Sequence, residues 1–105
     1  YESLRNSTHT SGNHSRSTYL GYGAQDISFH HNIIANSTRR NPNLGTTGQF
    51  DFVNNIIYNS GQYNGEIYNR HGTNNLNFVG NVVLPGPSTP KVTTMYGLDL
   101  FKNQD

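Results

Sequence analysis

The chain is 105 residues long, 31% hydrophobic and only 12% charged, with a formal net charge of +1 and no cysteine. That length allows one domain, and the missing cysteine excludes a disulfide framework, a cysteine-ligated zinc and a thiol nucleophile. The near-neutral charge leaves no electrostatic footprint for nucleic acid, and no apolar run approaches the ~20 residues of a membrane helix. Uncharged polar residues fill the balance, sixteen of them asparagine. The apolar residues nevertheless fall in short clusters of Ile, Val, Phe and Tyr, a pattern foreign to disordered chains. The chain opens in mid-pattern at Tyr1 and Glu2, without an initiator methionine. It therefore reads as a segment of a longer protein whose targeting signal lies upstream.

In chain order, residues 1–25 are rich in Ser, Thr and Gly, with one strand expected around Ser17–Leu20. Three similar units follow, Asp26–Ser37, Gln49–Ser60 and Asn75–Gly86, each reading apolar-x-Phe-x-x-Asn-apolar-apolar. Their anchors Asn32, Asn55 and Asn81 lie 23 and 26 residues apart. Before each anchor the apolar residues alternate, as in Ile27 and Phe29, Phe50 and Phe52, and Leu76 and Phe78, which is the period of a strand. Ser37–Gly48 reads as a loop carrying Arg39 and Arg40, and 60–74 as a longer polar excursion with Tyr63 and Tyr68. Pro85, Pro87 and Pro90 break the pattern, because proline cannot donate to a sheet ladder. A last strand is expected at Lys91–Tyr96.

A repeat of this length cannot bury its own inward face, but stacked copies give a continuous apolar interior. The expected fold is thus all-β, a parallel β-helix of about four coils spanning 1–105, with an Asn-rich β-sandwich as the ordinary alternative. Asn tolerates a left-handed backbone, so the anchors are expected to make the bends. Stacked Asn side chains would also bond along the ladder.

The candidate chemistry is sparse. If coils stack, residues one repeat apart become neighbours, and Arg16 and Arg40 are 24 apart. Two cations on one external face would attract an anion, and guanidinium binds carboxylate bidentately. His30 and His31 adjoin on a strand and are expected to point to opposite faces. His9, His14 and His71 show no metal-ligand spacing. The acidic residues Glu2, Asp26, Asp51, Glu66, Asp99 and Asp105 are scattered, so no calcium cluster is expected from them. The Asn-x-Ser/Thr sites at Asn6, Asn13 and Asn36 are of a number expected by chance.

The run Ile27 to Asn36 (ISFHHNIIAN), then Arg40-Asn41-Pro42, then Phe50 to Asn59 (FDFVNNIIYN) resembles the pectate lyase family. That family carries a strand ending in His-His-Asn, an Arg-x-Pro after it, and a strand ending in Asn-Asn. Glu2 to Leu4 and Gly12 to Gly21 resemble its preceding coil, and Asn81 to Ser88 a later one, so the match covers roughly 2–88. The resemblance implies a right-handed parallel β-helix that cleaves polygalacturonate by β-elimination, secreted and monomeric. It implies Arg40 as catalytic base and Arg16, through His14-Ser15-Arg16, as the residue holding a substrate carboxylate. It also implies Ca2+ as cofactor, bound by acidic residues upstream of this chain. In that scheme calcium and Arg16 neutralise the carboxylate next to C5 and so stabilise the enolate-like transition state. An arginine base needs neighbouring cations and desolvation, since guanidinium otherwise keeps its proton. The sequence departs from the family after Pro42, where a second arginine is usual and Asn43, Leu44 and Gly45 stand instead.

Two other readings compete. One is a non-catalytic β-helix module that binds carbohydrate or serves structurally in a secreted protein, in which Arg40 would face away from any groove. The other is a β-helix hydrolase such as a polygalacturonase, which needs paired carboxylates at a fixed separation. Asp26 and Asp51 are poorly placed for that.

Overall fold

Each repeat supplies three short strands, and bends of left-handed backbone separate some of them. The computed structural model describes residues 8–10, 14–21, 23–45, 47–69, 71–91 and 98–101. The first circuit is β1 (Tyr19–Gly21), β2 (Ile27–His30) and β3 (Ile33–Ala35). The second is β4 (Asn43–Gly45), β5 (Gly48–Val53) and β6 (Ile56–Tyr58), and the third is β7 (Gly65–Tyr68), β8 (Asn74–Val79) and β9 (Val82–Leu84). β10 (Leu98–Phe101) begins a fourth. The described residues are all-β, with no helix.

The strands form three parallel sheets, ordered β1-β4-β7-β10, β2-β5-β8 and β3-β6-β9. The chain visits the three sheets in strict rotation, and each strand pairs with its counterpart one circuit later. Registers are Ile27 to Phe50 to Leu76, and Ile33 to Ile56 to Val82. These are the pairings that the repeat spacing of 23 and 26 residues dictates.

The core is built of columns, one residue from each circuit. Ile34, Leu44, Phe50, Phe52 and Ile57 are buried, with Leu20, Ile67, Leu76, Phe78 and Val83 packed around them. Phe52 is 0% exposed. Its ring stacks 5.3 Å from Phe29 and 5.2 Å from Phe78, nearly parallel to both. Identical side chains at the same register position can stack flat in this way, which explains why phenylalanine recurs in the repeat.

The asparagine ladder is present, but the bends lie one residue earlier than the sequence reading placed them. The left-handed residues are His31, Asn54 and Gly80, not the anchors that follow them. The bend residue is exposed and makes no ladder bond with its side chain, so its type can vary. The anchor faces inward and must satisfy buried backbone. Asn55 Oδ1 accepts the Asn32 main-chain N–H at 2.9 Å and the Asn32 Nδ2 at 3.1 Å. Asn81 Oδ1 accepts the Asn55 N–H at 2.8 Å, and Asn55 Nδ2 reaches the Phe29 carbonyl at 3.0 Å. A second ladder runs from Asn59 Nδ2 to Asn36 Oδ1 at 2.7 Å. Asn55→Ala orphans several of these buried groups at once and should cost about 2 kcal/mol. For a domain of this size that lowers the melting temperature by roughly 8–16 °C, measurable by circular dichroism.

Three sequence expectations need correction. Ser37–Gly48 is not only a loop, because β4 lies within it, and 60–74 likewise contains β7. A single inward Leu44 or Ile67 flanked by polar residues carries little strand periodicity, and pairing with β1 defines the sheet instead. His30 and His31 do not diverge. The left-handed His31 turns its ring back, and the two Nδ1 atoms lie 3.0 Å apart. The strand expected at Lys91–Tyr96 falls largely on 92–96, outside the described residues, while β10 lies just beyond it.

Candidate functional site

In the sheet β1-β4-β7-β10, Leu20, Leu44 and Ile67 point into the core. Alternation therefore turns Tyr19, Asn43 and Glu66 outward, in one register column. Asp99 is the register partner of Glu66 on β10. The segments leading into β1 and β4 bring in the arginines. Arg16 and Arg39 form a parallel bridge, and Ser17 and Thr18 donate their main-chain N–H to the Arg39 and Arg40 carbonyls at 3.2 and 2.9 Å. The backbone neighbour of Arg16 is thus Arg39, one residue before the neighbour that the sequence reading chose. Arg16, Arg39 and Arg40 nevertheless all line one open cavity of about 460 Å³, with Asn43, Glu66 and Tyr68.

Glu66 organises this cavity. It is 1% exposed, and burying a carboxylate demands partners. Arg39 grips it with both prongs, Nε to Oε1 and Nη2 to Oε2, each at 3.2 Å. The Arg40 main-chain N–H donates to Oε1 at 3.0 Å, and Asn43 Nδ2 and the Tyr68 hydroxyl donate to Oε2 at 3.3 and 3.2 Å. Desolvation opposes the charge on Arg39, but the hydrogen bond and attraction from Glu66 outweigh it and raise the Arg39 pKa. Burial, and then the nearby Glu66 charge, push the Tyr68 hydroxyl up as well. Arg39 is therefore committed to Glu66, and its guanidinium also lies over the Tyr63 ring, 4.9 Å from the centroid.

Arg16 is held differently. Its pKa is lowered by desolvation first and then by the charges of Arg40 and Arg39, with Glu66 offsetting them in part. Among the described residues the only ion pair is Arg39 with Glu66, so Arg16 and Arg40 have no carboxylate partner there. Among the described residues, three guanidiniums thus share the cavity with one carboxylate. His14, stacked on His9 at 3.8 Å, feels the same field. Its pKa falls through desolvation and then the charges of Arg16, His9 and Arg40.

Arg40 has a backbone that its side-chain type does not favour, with φ of 61°. Every other non-glycine residue with positive φ among those described is Asn, Asp or His, the types that tolerate this region. Both ends of Arg40 are pinned. Its N–H goes to Glu66, and its carbonyl accepts from Thr18 N–H and the Ser17 hydroxyl. The next residue, Asn41, is joined to Pro42 by a cis peptide bond. Asn41, fully buried, donates to Ser60 Oγ at 3.0 Å and the Tyr63 carbonyl at 2.8 Å. The Arg40 guanidinium lies over the Tyr19 ring, 5.2 Å from its centroid. Tyr19 lies across Gly21 and Gly45, where an added Cβ would stand 2.5 and 3.3 Å from its hydroxyl.

The sequence reading missed Glu66 as a site residue, along with Tyr19, Asn43 and Tyr68. A signal existed: Leu20, Leu44 and Ile67 are 24 and 23 residues apart, close to the anchor spacing. Their flanking residues therefore form outward columns. No three His, Cys, Asp or Glu side chains among the described residues converge as a metal site. Glu66, the carboxylate in the cavity, is already engaged by four residues. The described residues thus do not fit a calcium centre.

Comparison with protein-family models, curated protein sequences and solved structures finds no match for this chain. What defines its class is structural and chemical: an all-β protein of stacked parallel sheets, with a cation-rich cavity on the outer face of one sheet.

Proposed function

We propose that the protein is a polysaccharide lyase that cleaves polygalacturonate by β-elimination, on a right-handed parallel β-helix. The rotation of the chain through three parallel sheets supports the helix, and the near-universal right-handed crossover between parallel strands supports its hand. One observation carries the function. Arg16 and Arg40, both without a carboxylate partner among the described residues, converge on one open cavity, while Arg39 is committed to Glu66. Such a cavity attracts a uronate carboxylate.

In this reading Arg16 holds the carboxylate attached to C5 of the bound residue. Drawing charge from that carboxylate makes the C5 proton more acidic. Arg40, whose guanidinium lines the same cavity, takes this proton as the base. The C5–H electrons form the C4=C5 double bond, the C4–O4 bond breaks, and the departing oxygen takes a proton from water. Glu66 keeps Arg39 out of the reaction and fixes the Arg40 backbone.

The test is ultraviolet absorbance during incubation with polygalacturonate, because the unsaturated uronate product absorbs and a hydrolysis product does not. A steady rise is expected. Arg16→Ala should raise KM by roughly 10–100-fold, the worth of a charge-assisted hydrogen bond. Binding of oligogalacturonate without any rise would sink the lyase and favour the non-catalytic carbohydrate module. Hydrolytic products would move the assignment to a hydrolase.

A further inference from the structure

The bend between β2 and β3 carries chemistry that the cavity does not use. His30 ends β2 and His31 makes the bend, and both are exposed. The left-handed backbone of His31, with φ of 55°, brings its Nδ1 to 3.0 Å from that of His30, the rings nearly perpendicular at 87°. The backbone beneath is fixed. His31 donates its N–H to the Val53 carbonyl at 3.3 Å, and Asn32 Nδ2 closes back on the His30 carbonyl at 2.8 Å. Asn32 is in turn held by the Asn55 ladder. The repeat itself needs no imidazole here. The same two positions are Val53 and Asn54 in the second circuit and Val79 and Gly80 in the third.

Two neutral imidazole nitrogens this close must share one proton, since lone pair would otherwise face lone pair. A metal ion can take the place of that proton, the ring that held it carrying its proton on Nε2 instead. Nitrogen ligands suit the divalent transition metals, whereas calcium and magnesium require oxygen. The separation narrows the choice. With metal–nitrogen bonds of ~2.05 Å, nitrogens 3.0 Å apart subtend about 94° at the metal. Tetrahedral zinc would need them roughly 3.3 Å apart, whereas square-planar or tetragonal copper takes cis ligands near 90°. The geometry points to a Cu2+ site formed by His30 Nδ1 and His31 Nδ1. Among the described residues no third His, Cys, Asp or Glu joins them, so water would complete the coordination. The pair belongs to a different sheet from the arginine cavity and stands independently of the uronate reading.

The experiment titrates the protein, carrying no added histidines, with CuCl2 and with ZnCl2 in a calorimeter near neutral pH, and records the electron paramagnetic resonance of the copper form. One Cu2+ is expected per chain, with splitting from two equatorial nitrogens, and Zn2+ should bind at least tenfold more weakly. His30→Val and His31→Asn copy the residues of the second circuit, so both should fold, which circular dichroism checks. Each removes one arm of the chelate and should weaken Cu2+ by roughly 10²-fold or more, leaving one of the two nitrogens in the spectrum. Copper held as tightly in both variants would place it on His9, His14 or His71 and overturn the site. Zn2+ bound as tightly as Cu2+ would overturn the copper assignment. No binding of either metal to the unaltered protein would overturn the proposal outright, and that measurement depends on no variant.

Discussion

On the proposed lyase reading, replacing Arg40 with alanine is expected to lower kcat on polygalacturonate by about 10²–10⁴-fold, the usual contribution of a positioned acid or base. KM should change little, because Arg16 still meets the carboxylate. Stability should move by no more than about 1 kcal/mol, since the lost Tyr19 stacking contact is worth about that much and relief of repulsion from Arg16 opposes it. Arg40→Gly separates the two effects more sharply. A non-glycine residue in left-handed backbone costs about 1–2 kcal/mol, and the extra unfolded-state freedom of glycine offsets about half of that. The glycine variant should therefore melt at or slightly above the temperature of the unaltered protein while eliminating no faster than Arg40→Ala. Retention of even a tenth of the original kcat in either variant would end the base role. A residue held in strained backbone that folding would rather replace is the pattern expected where a side chain is kept for function.

The sequence discloses the parts of this fold that repeat with strong chemistry. Phe29, Phe52 and Phe78 recur with alternating neighbours, so the sheet β2-β5-β8 and its register follow from spacing alone. The anchors Asn32, Asn55 and Asn81 reveal their ladder in the same way. The sheet that carries the site is the one hardest to read. Leu20, Leu44 and Ile67 are single apolar residues between polar ones, because the outward column of that sheet is spent on Tyr19, Asn43 and Glu66 instead of an amphipathic alternation. A polar outward column erases the hydrophobic pattern that would reveal its strand. The repeat spacing brings Arg16 into the neighbourhood of Arg40 but misses its backbone partner, Arg39, by one residue. Spacing does not fix which of two adjacent arginines bears the load. Only the buried Glu66 shows that Arg39 is an ion-pair partner and that Arg40 contributes its N–H there while its guanidinium lies over Tyr19.

Glu66→Gln should be the most destabilising single change in the site. Breaking a buried ion pair by removing one partner typically costs about 3–5 kcal/mol, because the other charge is left uncompensated. The Arg39 side chain is 26% exposed and can still reach water, so the lower end, about 3 kcal/mol, is expected. That lowers the melting temperature by roughly 12–24 °C. The geometry predicts more than a loss of stability. Oε2 accepts from Arg39, Asn43 and Tyr68, and an amide nitrogen there cannot accept. Asn43 would have to flip to offer its oxygen to the new amide. Arg39, released, would add its charge to the cavity. KM for polygalacturonate should therefore be unchanged or lower. Its kcat should fall, because the Arg40 backbone has lost an ionic anchor at Oε1. A Glu66→Gln protein that melts lower but keeps its kcat would reduce Glu66 to a packing role. A fall in kcat without a rise in KM is what a positioning carboxylate predicts and a merely structural one does not.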